Sequence, residues 1–556
     1  MNSRLFFSLT MVLMLFMSGY AQDNGRFSGG FEGNTNFFIR DEKIGAANIP
    51  QYDHQLIGAE SWLSLNYSNW GFDVGMRFDL FNNSNLRDPN GSYSDQGIGR
   101  WYIKKSVGDL KISGGYLYDQ IGSGIIFRAF EERPLLIDNA LFGVRLDYQL
   151  SDNWSAKAFT GKQKFLFDRF PATIKGASLD GFLSFGDPEK GQKVWSISPG
   201  FGVVNRTLSD EQMADMVNIV KTYLDEDRFK PVYNVYMASV YNTLSAGPIT
   251  WYIEGAYKTD DQFYNPFAIR QTLSGGESLG KYVREDGFVG YTSLSYAARG
   301  FGATLEYKRT ENFDVRAEPQ QTQNRGLISY IPPMNRLNTY RLTARYSPAT
   351  QFIGEEAFQI DLRYSPNRKW SFLANFSNIT NLEGEQLYRE VYTEIMYKMK
   401  RKWQLKGGLQ LQTYNQEIYE TKPEVPLVET VTPYAEFLYK FTRRKSLRIE
   451  AQYMNTDEDF GSWVFGLAEF AIAPHWLISM SGMYNLAPAE RQNTETGDIE
   501  TPDPILYPTF GIVYSNKATR FNLRYVKQVE GVVCSGGICR LEPAFSGVRF
   551  QVSTTF

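Results

Sequence analysis

A compact group of charged side chains stands inside an otherwise apolar stretch, residues 120–139 (QIGSGIIFRAFEERPLLIDN). Its glycines allow a sharp fold of the backbone, and charges of both signs beside phenylalanines could narrow a passage and select a polar solute. An outer loop that packs on its neighbours is the alternative. The candidate constriction residues are Gly122, Ser123, Gly124, Arg128, Glu131, Glu132 and Arg133.

Other reactive side chains are few, because the chain has only two histidines and two cysteines. Neither His54 nor His475 has a nearby serine in an activating pattern, so a hydrolase is a remote alternative and we assign no catalytic, cofactor or metal site. Cys534 and Cys539 flank two glycines, and in an oxidising compartment this spacing predicts a disulfide across a tight loop.

The elements that position these residues are strands. Segments of about ten residues alternate apolar and polar side chains almost from end to end, which is the pattern of a transmembrane β-barrel. In residues 70–80, for example, Val74, Met76 and Phe78 alternate with Arg77 and Asp79. A soluble sandwich also alternates, but the frequent Trp or Tyr at the ends of the apolar faces favours a membrane interface. We expect one all-β antiparallel barrel over residues 22–556.

The turns predict about 24 strands (range of about 22–26), joined by short periplasmic turns and long outer loops. Residues 338–346 could be a strand, but an even strand count favours a loop. One outer loop, residues 209–227, should hold a helix, because Ser209 and Gln212 can form a capping box before an apolar face. Residues 310–355 are long enough to form a lid or a partial plug.

Both ends of the sequence indicate export to the outer membrane of a Gram-negative cell. Residues 1–21 have the charged start, short apolar core and small residues of a signal peptide. The last strand ends in Phe556, which resembles the signal read by the barrel assembly machinery. Few residues separate Gln22 from the first strand at Arg26, so we expect no plug domain before the barrel.

Inward faces of the predicted strands carry both charges. They could form a selectivity field or a structural ladder of ion pairs, and we favour the ladder for most of them. The candidate lumen charges are Arg77, Asp79, Arg145, Asp147, Arg363, Arg448 and Glu450.

Composition excludes other classes of protein. The 556 residues are 42% hydrophobic and 15% aromatic, which is too ordered for a disordered chain. The net charge of -3 gives no basic footprint for nucleic acid.

Residues 116–145 (YLYDQIGSGIIFRAFEERPLLIDNALFGVR) resemble a family of outer-membrane barrel proteins of the Bacteroidota that is catalogued as a domain of unknown function. Residues 340–359 and 534–543 (CSGGICRLEP) are similar to the same family. The resemblance implies an outer-membrane barrel and no particular activity.

These observations favour a channel or transporter for polar solutes, embedded in outer-membrane lipid. A barrel subunit of a secretion, assembly or surface complex, with a partner protein at the outer loops, is the alternative.

Overall fold

The computed structural model describes residues 25–556 except 188, 190–191, 273–274, 322–324, 423, 489–490, 493–498, 501–502 and 536–537. The predicted signal peptide lies outside the described residues.

The chain forms a closed antiparallel barrel of 24 strands, which confirms the predicted fold class. Each strand pairs with its neighbours in sequence, and the last strand pairs with the first from Gly30 opposite Thr555 to Phe38 opposite Gly547. Closure leaves no unpaired strand edge in the wall. The strands are β1 (Arg26–Phe38), β2 (Ile57–Asn69), β3 (Phe72–Ser84), β4 (Tyr93–Val107), β5 (Leu110–Leu117), β6 (Leu141–Ser151), β7 (Trp154–Phe165), β8 (Asp168–Gly181, continued by Leu183–Phe185), β9 (Trp195–Thr207), β10 (Asn234–Ala246), β11 (Ile249–Gln271), β12 (Glu277–Ala298), β13 (Phe301–Glu311), β14 (Gly354–Tyr364), β15 (Trp370–Thr380), β16 (Gln386–Met399), β17 (Trp403–Tyr414), β18 (Val428–Lys440), β19 (Lys445–Met454), β20 (Ser462–Ile472), β21 (Trp476–Ala487), β22 (Leu506–Asn516), β23 (Thr519–Gln528) and β24 (Phe545–Thr555).

Alternation along each strand separates a lipid-facing surface from a polar interior. On β3, Val74, Met76 and Phe78 are 38–40% exposed on the outside, whereas Arg77 and Asp79 are buried inside. Apolar side chains left exposed around a whole barrel need lipid as their solvent.

Short and long connections alternate around the barrel. Residues 70–71, 108–109 and 152–153 make tight turns at one end, called the inner end here, and residues 39–56, 208–233 and 312–353 are long connections at the other, outer end. Strands β7, β9, β15, β17 and β21 each begin with Trp at the inner end, where an interfacial aromatic girdle belongs. One outer connection is shorter than expected: residues 166–167 join β7 to β8 directly, because these two strands pair right up to the turn, with Phe165 opposite Asp168.

Both α-helices of the described residues lie in outer connections. Helix α1 (Asp210–Val220) starts with the predicted capping box of Ser209 and Gln212, and α2 (Gln416–Tyr419) is a single turn. Short 3-10 turns span Glu42–Ile44 and Arg133–Leu135, and a π-helical turn spans Gln51–Gln55. Among the described residues, no helix is both long and apolar enough to cross a membrane.

Candidate functional site

Two outer connections fold into the barrel and fill its outer half. We call residues 118–140 the first plug segment and residues 312–353 the second plug segment. Ile121, Ile125 and Ile126 of the first are at most 1% exposed, and Phe313 and Val315 of the second are fully buried. They form one apolar core with inward side chains of the wall. The predicted lid or plug is therefore inside the lumen, and residues 338–346 are a loop as expected.

The first half of the first plug segment, residues 121–127, is anchored to the wall. Ser123 donates to Glu254 of β11 through both its backbone nitrogen (3.0 Å) and its hydroxyl (2.6 Å). Gly122 has φ +56, and a Cβ there would lie 2.6 Å from Glu254 Oε1. Gly124 has φ +104, which also favours glycine. The three small residues thus fit this buried contact, which the sequence could not locate.

The second half, residues 128–138, carries the charges. Arg77 of β3 is 5% exposed and lies 2.6 Å from Asp79, 2.5 Å from Glu131 and 2.8 Å from Asp138. Lys164 of β7 also binds Asp138, at 2.6 Å. Burial by itself would raise the pKa of Asp138, but the charges of Lys164 and Arg77 outweigh it and lower this pKa below its ordinary value.

Arg133 links this group to the first strand. Its guanidinium binds Glu131 at 3.0 Å and forms a second ion pair with Glu32 of β1. Arg128 instead stacks 3.9 Å from the ring of Tyr330 in the second plug segment. Glu132 is half-buried, and within the described part of the chain it forms no ion pair. The structure therefore brings Glu131 and Arg133 together, whereas Arg128 and Glu132 lie outside this group.

The second plug segment crosses the lumen and binds several strands of the wall. Gln163 of β7 donates to the Leu327 carbonyl at 2.6 Å, and Lys308 of β13 donates to the Pro332 carbonyl at 2.7 Å. Further contacts follow on the other side of the barrel, where Gln410 and Gln412 donate to the Thr343 and Tyr346 carbonyls and Gln452 accepts from the Leu342 nitrogen. Inward glutamines thus satisfy the irregular backbone of this segment.

Asp459 clamps the second plug segment to two outer loops. It lies 3.6 Å from Arg345 of the segment and 3.1 Å from Lys422, and it accepts from the Tyr346 hydroxyl at 2.9 Å. Burial would raise the pKa of Asp459, yet Arg345 and Lys422 lower it below the ordinary value. Helix α1 packs on the same segment, since Gln212 donates to the Ala317 carbonyl at 2.9 Å.

Two cavities meet beside the first plug segment. One, of about 250 Å³, lies near the outer loops and includes Arg87 and Leu166 in its lining. The other, of about 220 Å³, includes Asn34 and Gln551 of the wall in its lining. They share four lining residues: Trp62, Leu86, Arg133 and Arg540. A third cavity of about 900 Å³ opens above the second plug segment, next to Lys422 and Asp459.

The remaining candidate lumen charges lie in ion pairs. Arg145 is 2.9 Å from Asp147 and 3.3 Å from Asp119, and Arg363 is 2.9 Å from Asp361. Near the inner end of β14 the Arg363 side chain is 69% exposed. Arg448 binds Glu436 at 3.1 Å and Glu469 at 2.7 Å, and it also pairs with Glu450. These candidate charges are therefore paired, and the structural role that the sequence favoured for them stays a prediction.

In the last outer connection, Gly531–Ser535 and Ile538–Glu542 form a hairpin in which Cys534 stands opposite Cys539.

Sequence reasoning missed the partners that give the plug its geometry. Glu254, Asp138, Lys164 and Glu32 carried no local signal, because each is defined by a contact with a residue distant in the chain. Glu254 is buried on β11, and nothing near it in the sequence indicates which loop reaches it.

The fold and the contacts define a plugged transmembrane barrel. The chain belongs to a family of unknown function, DUF6029, whose model matches residues 1–556. No protein of curated function matches it in sequence.

Solved barrels are similar at low sequence identity. The P pilus usher translocation pore PapC is 8% identical, with a TM-score of 0.40 over 95% of this chain and 99% of that chain. The ferric-catecholate import receptor Fiu from E. coli K12 is 10% identical, with a TM-score of 0.36 over 96% and 82%. A mutant of the ferric enterobactin receptor PfeA from Pseudomonas aeruginosa is 8% identical, with a TM-score of 0.41 over 96% and 80%.

Proposed function

We propose that the protein is a gated outer-membrane channel or transporter for polar solutes, and that the structure is its closed state. The observation that carries this proposal is the pair of cavities that meet at Arg133. Together they join residues of the outer loops to inward residues of β1 and β24, and the side chain of Arg133 lines both. A solute on this route has to move Arg133 away from Glu131 and Glu32.

In the first plug segment, residues 121–127 can serve as a fixed anchor and residues 128–138 as the moving gate. Residues 121–127 bury their isoleucines completely, and burying each such side chain contributes roughly 1.5–3 kcal/mol. Residues 128–138 are held largely by ion pairs, together with a small apolar cluster that includes Leu135 and Ile137. The charged half can therefore move while the anchor stays in place.

The first test is single-channel conductance of the refolded barrel in a planar bilayer. The wild type is compared with a variant lacking residues 122–134 and with Arg133→Gln. We expect a low or absent wild-type current that grows in both variants. Arg363→Gln is the matched control, because it removes an inward arginine far from the cavities and should leave the current unchanged. Variants that are demonstrably folded but remain shut would contradict the proposal.

A barrel subunit of a surface complex is the second candidate, favoured by one hairpin. β11 and β12 are 23 and 22 residues long, about twice the roughly ten residues that cross a membrane. Near its tip, Phe267, Ile269 and Leu279 are 46%, 56% and 67% exposed. Replacing all three with serine should leave conductance unchanged, and loss of a co-purifying outer-surface partner would favour this candidate.

Further parts of the proposal rest on the sequence. They are an origin in the Bacteroidota, removal of residues 1–21 on export, recognition of Phe556 by the barrel assembly machinery, and a disulfide between Cys534 and Cys539. The opposed positions of the two cysteines support the last of these.

A further inference from the structure

Two arginines face each other on the inner surface of adjacent strands. Arg524 of β23 is directly opposite Arg549 of β24, while Leu523, the neighbour of Arg524 in sequence, is 49% exposed on the outside. Like charges in directly opposed positions of an antiparallel pair destabilise it. The pair therefore needs a compensating negative charge.

The protein supplies little of that charge. Arg524 donates to the neutral Gln551 side chain at 3.1 Å, and its Nε is buried without a hydrogen-bond partner among the described residues. Arg549 lies 3.6 Å from Glu542 and 4.0 Å from the ring centre of Phe545. Among the described residues, Glu542 is thus the one carboxylate at ion-pair distance from either guanidinium, and Glu60 acts on Arg549 from farther away.

A third arginine approaches from the second plug segment. Arg341 lines a cavity of about 280 Å³ with Arg336 and Arg345, and within the described part of the chain it forms no ion pair. Desolvation and the charge of Arg345 lower the pKa of Arg341, the charge of Glu542 raises it, and the charge of Arg549 lowers it further. Arg341 is therefore within electrostatic range of both Arg549 and Glu542.

The other inward arginines of the candidate set behave differently. Arg77, Arg145, Arg363 and Arg448 each have a carboxylate within 3.0 Å. These four charges are therefore compensated at short range. Arg341 and Arg549 instead share Glu542, which lies 3.6 Å from Arg549, and among the described residues Arg524 has no carboxylate within ion-pair distance.

We propose that Arg341, Arg524 and Arg549 form a binding site for an anionic solute that carries carboxylate or phosphate groups. The site rests on the proposed function and gives the substrate class of that route. A guanidinium presents a planar fork of donors that matches both groups. An anion bound there relieves the repulsion between Arg524 and Arg549 of the wall and also reaches Arg341 of the second plug segment.

Isothermal titration of the full-length protein tests the site, with inorganic phosphate and citrate as separate probes at constant ionic strength. We expect saturable binding that weakens at least about tenfold in the Arg524→Gln, Arg549→Gln double variant, as the loss of charge-assisted hydrogen bonds requires. Arg363→Gln should bind as the wild type does. The two probes distinguish a phosphate site from a carboxylate site. If the double variant does not fold, Arg341→Gln tests the same site from the plug. Absence of saturable binding, or equal affinity in the variants, overturns the proposal.

Ion selectivity separates this inference from the channel itself. In the variant lacking residues 122–134, a potassium chloride gradient should give an anion-selective reversal potential that shifts toward zero in the double arginine variant. If the pore conducts but its reversal potential is the same with and without the two arginine substitutions, the anion site is refuted and the channel proposal is unaffected. If the protein binds the anion but no folded variant conducts, the binding site is supported and the channel proposal is refuted.

Discussion

Replacing Arg77 with methionine should release the charged half of the first plug segment. In the closed barrel this guanidinium is 5% exposed and binds three carboxylates within 2.8 Å. Without it, Glu131 and Asp138 of the segment would stand against Asp79 of the wall. Arg133 and Lys164 would remain as partners for the two segment acids, but Asp79 would lose its bound cation.

The cost of that loss can be bounded. Removing one partner of a buried ion pair costs about 3–5 kcal/mol, because the remaining charge is left without compensation. Withdrawal of the segment lets water reach Asp79, so most of this cost falls on the closed state. A change of about 3 kcal/mol shifts the ratio of closed to open barrels by a factor of about 100.

Open probability in a planar bilayer measures this shift directly, and limited proteolysis of residues 128–138 measures exposure of the segment. Arg363→Met is the control, because it deletes an equally long cation whose ion pair is mostly exposed and contributes at most about 1 kcal/mol. If Arg77→Met is folded and remains as closed and as protease-resistant as Arg363→Met, the ion pairs do not hold the gate.

Three further outcomes follow from buried side chains in the outer connections. Because the pKa of Asp138 is lowered, its ion pairs hold the first plug segment fully above pH 3.8, the ordinary value, and this stabilisation is lost as pH falls below it. Limited proteolysis as a function of pH should therefore show the segment becoming cleavable in acid. Asp138→Asn should remove this acid-dependent step. Burial raises the pKa of Tyr52 to about 12, and its hydroxyl donates to the Ala544 carbonyl at 3.2 Å. The stabilisation of the folded barrel by the neutral Tyr52 hydroxyl is complete below pH 10 and is lost as pH approaches 12. The melting temperature of the wild type should therefore fall over this pH range, and Tyr52→Phe should not show this fall. Replacing Cys534 and Cys539 with serine should make the 531–542 hairpin easier to cleave, as reduction of the wild type should, without lowering the melting temperature of the barrel.

Local patterns in the sequence were sufficient for the barrel wall. Val74, Met76 and Phe78 alternate with Arg77 and Asp79, and a period of two residues fixes which side chains face lipid whatever the rest of the chain does. The same holds for the start of α1, because the capping box of Ser209 and Gln212 is complete within four residues.

The interior could not be predicted in this way. The bond from Ser123 to Glu254 joins residues 131 positions apart, and the Gln163 contact with Leu327 spans 164. Nothing near either residue in the sequence records its partner, so the sequence left open whether residues 120–139 lie inside or outside the barrel. The alternation of side chains by itself determined the wall and its two faces. Only the tertiary structure decided which connections fill the lumen, because that choice depends on burial and charge compensation between segments that meet only after the barrel has closed.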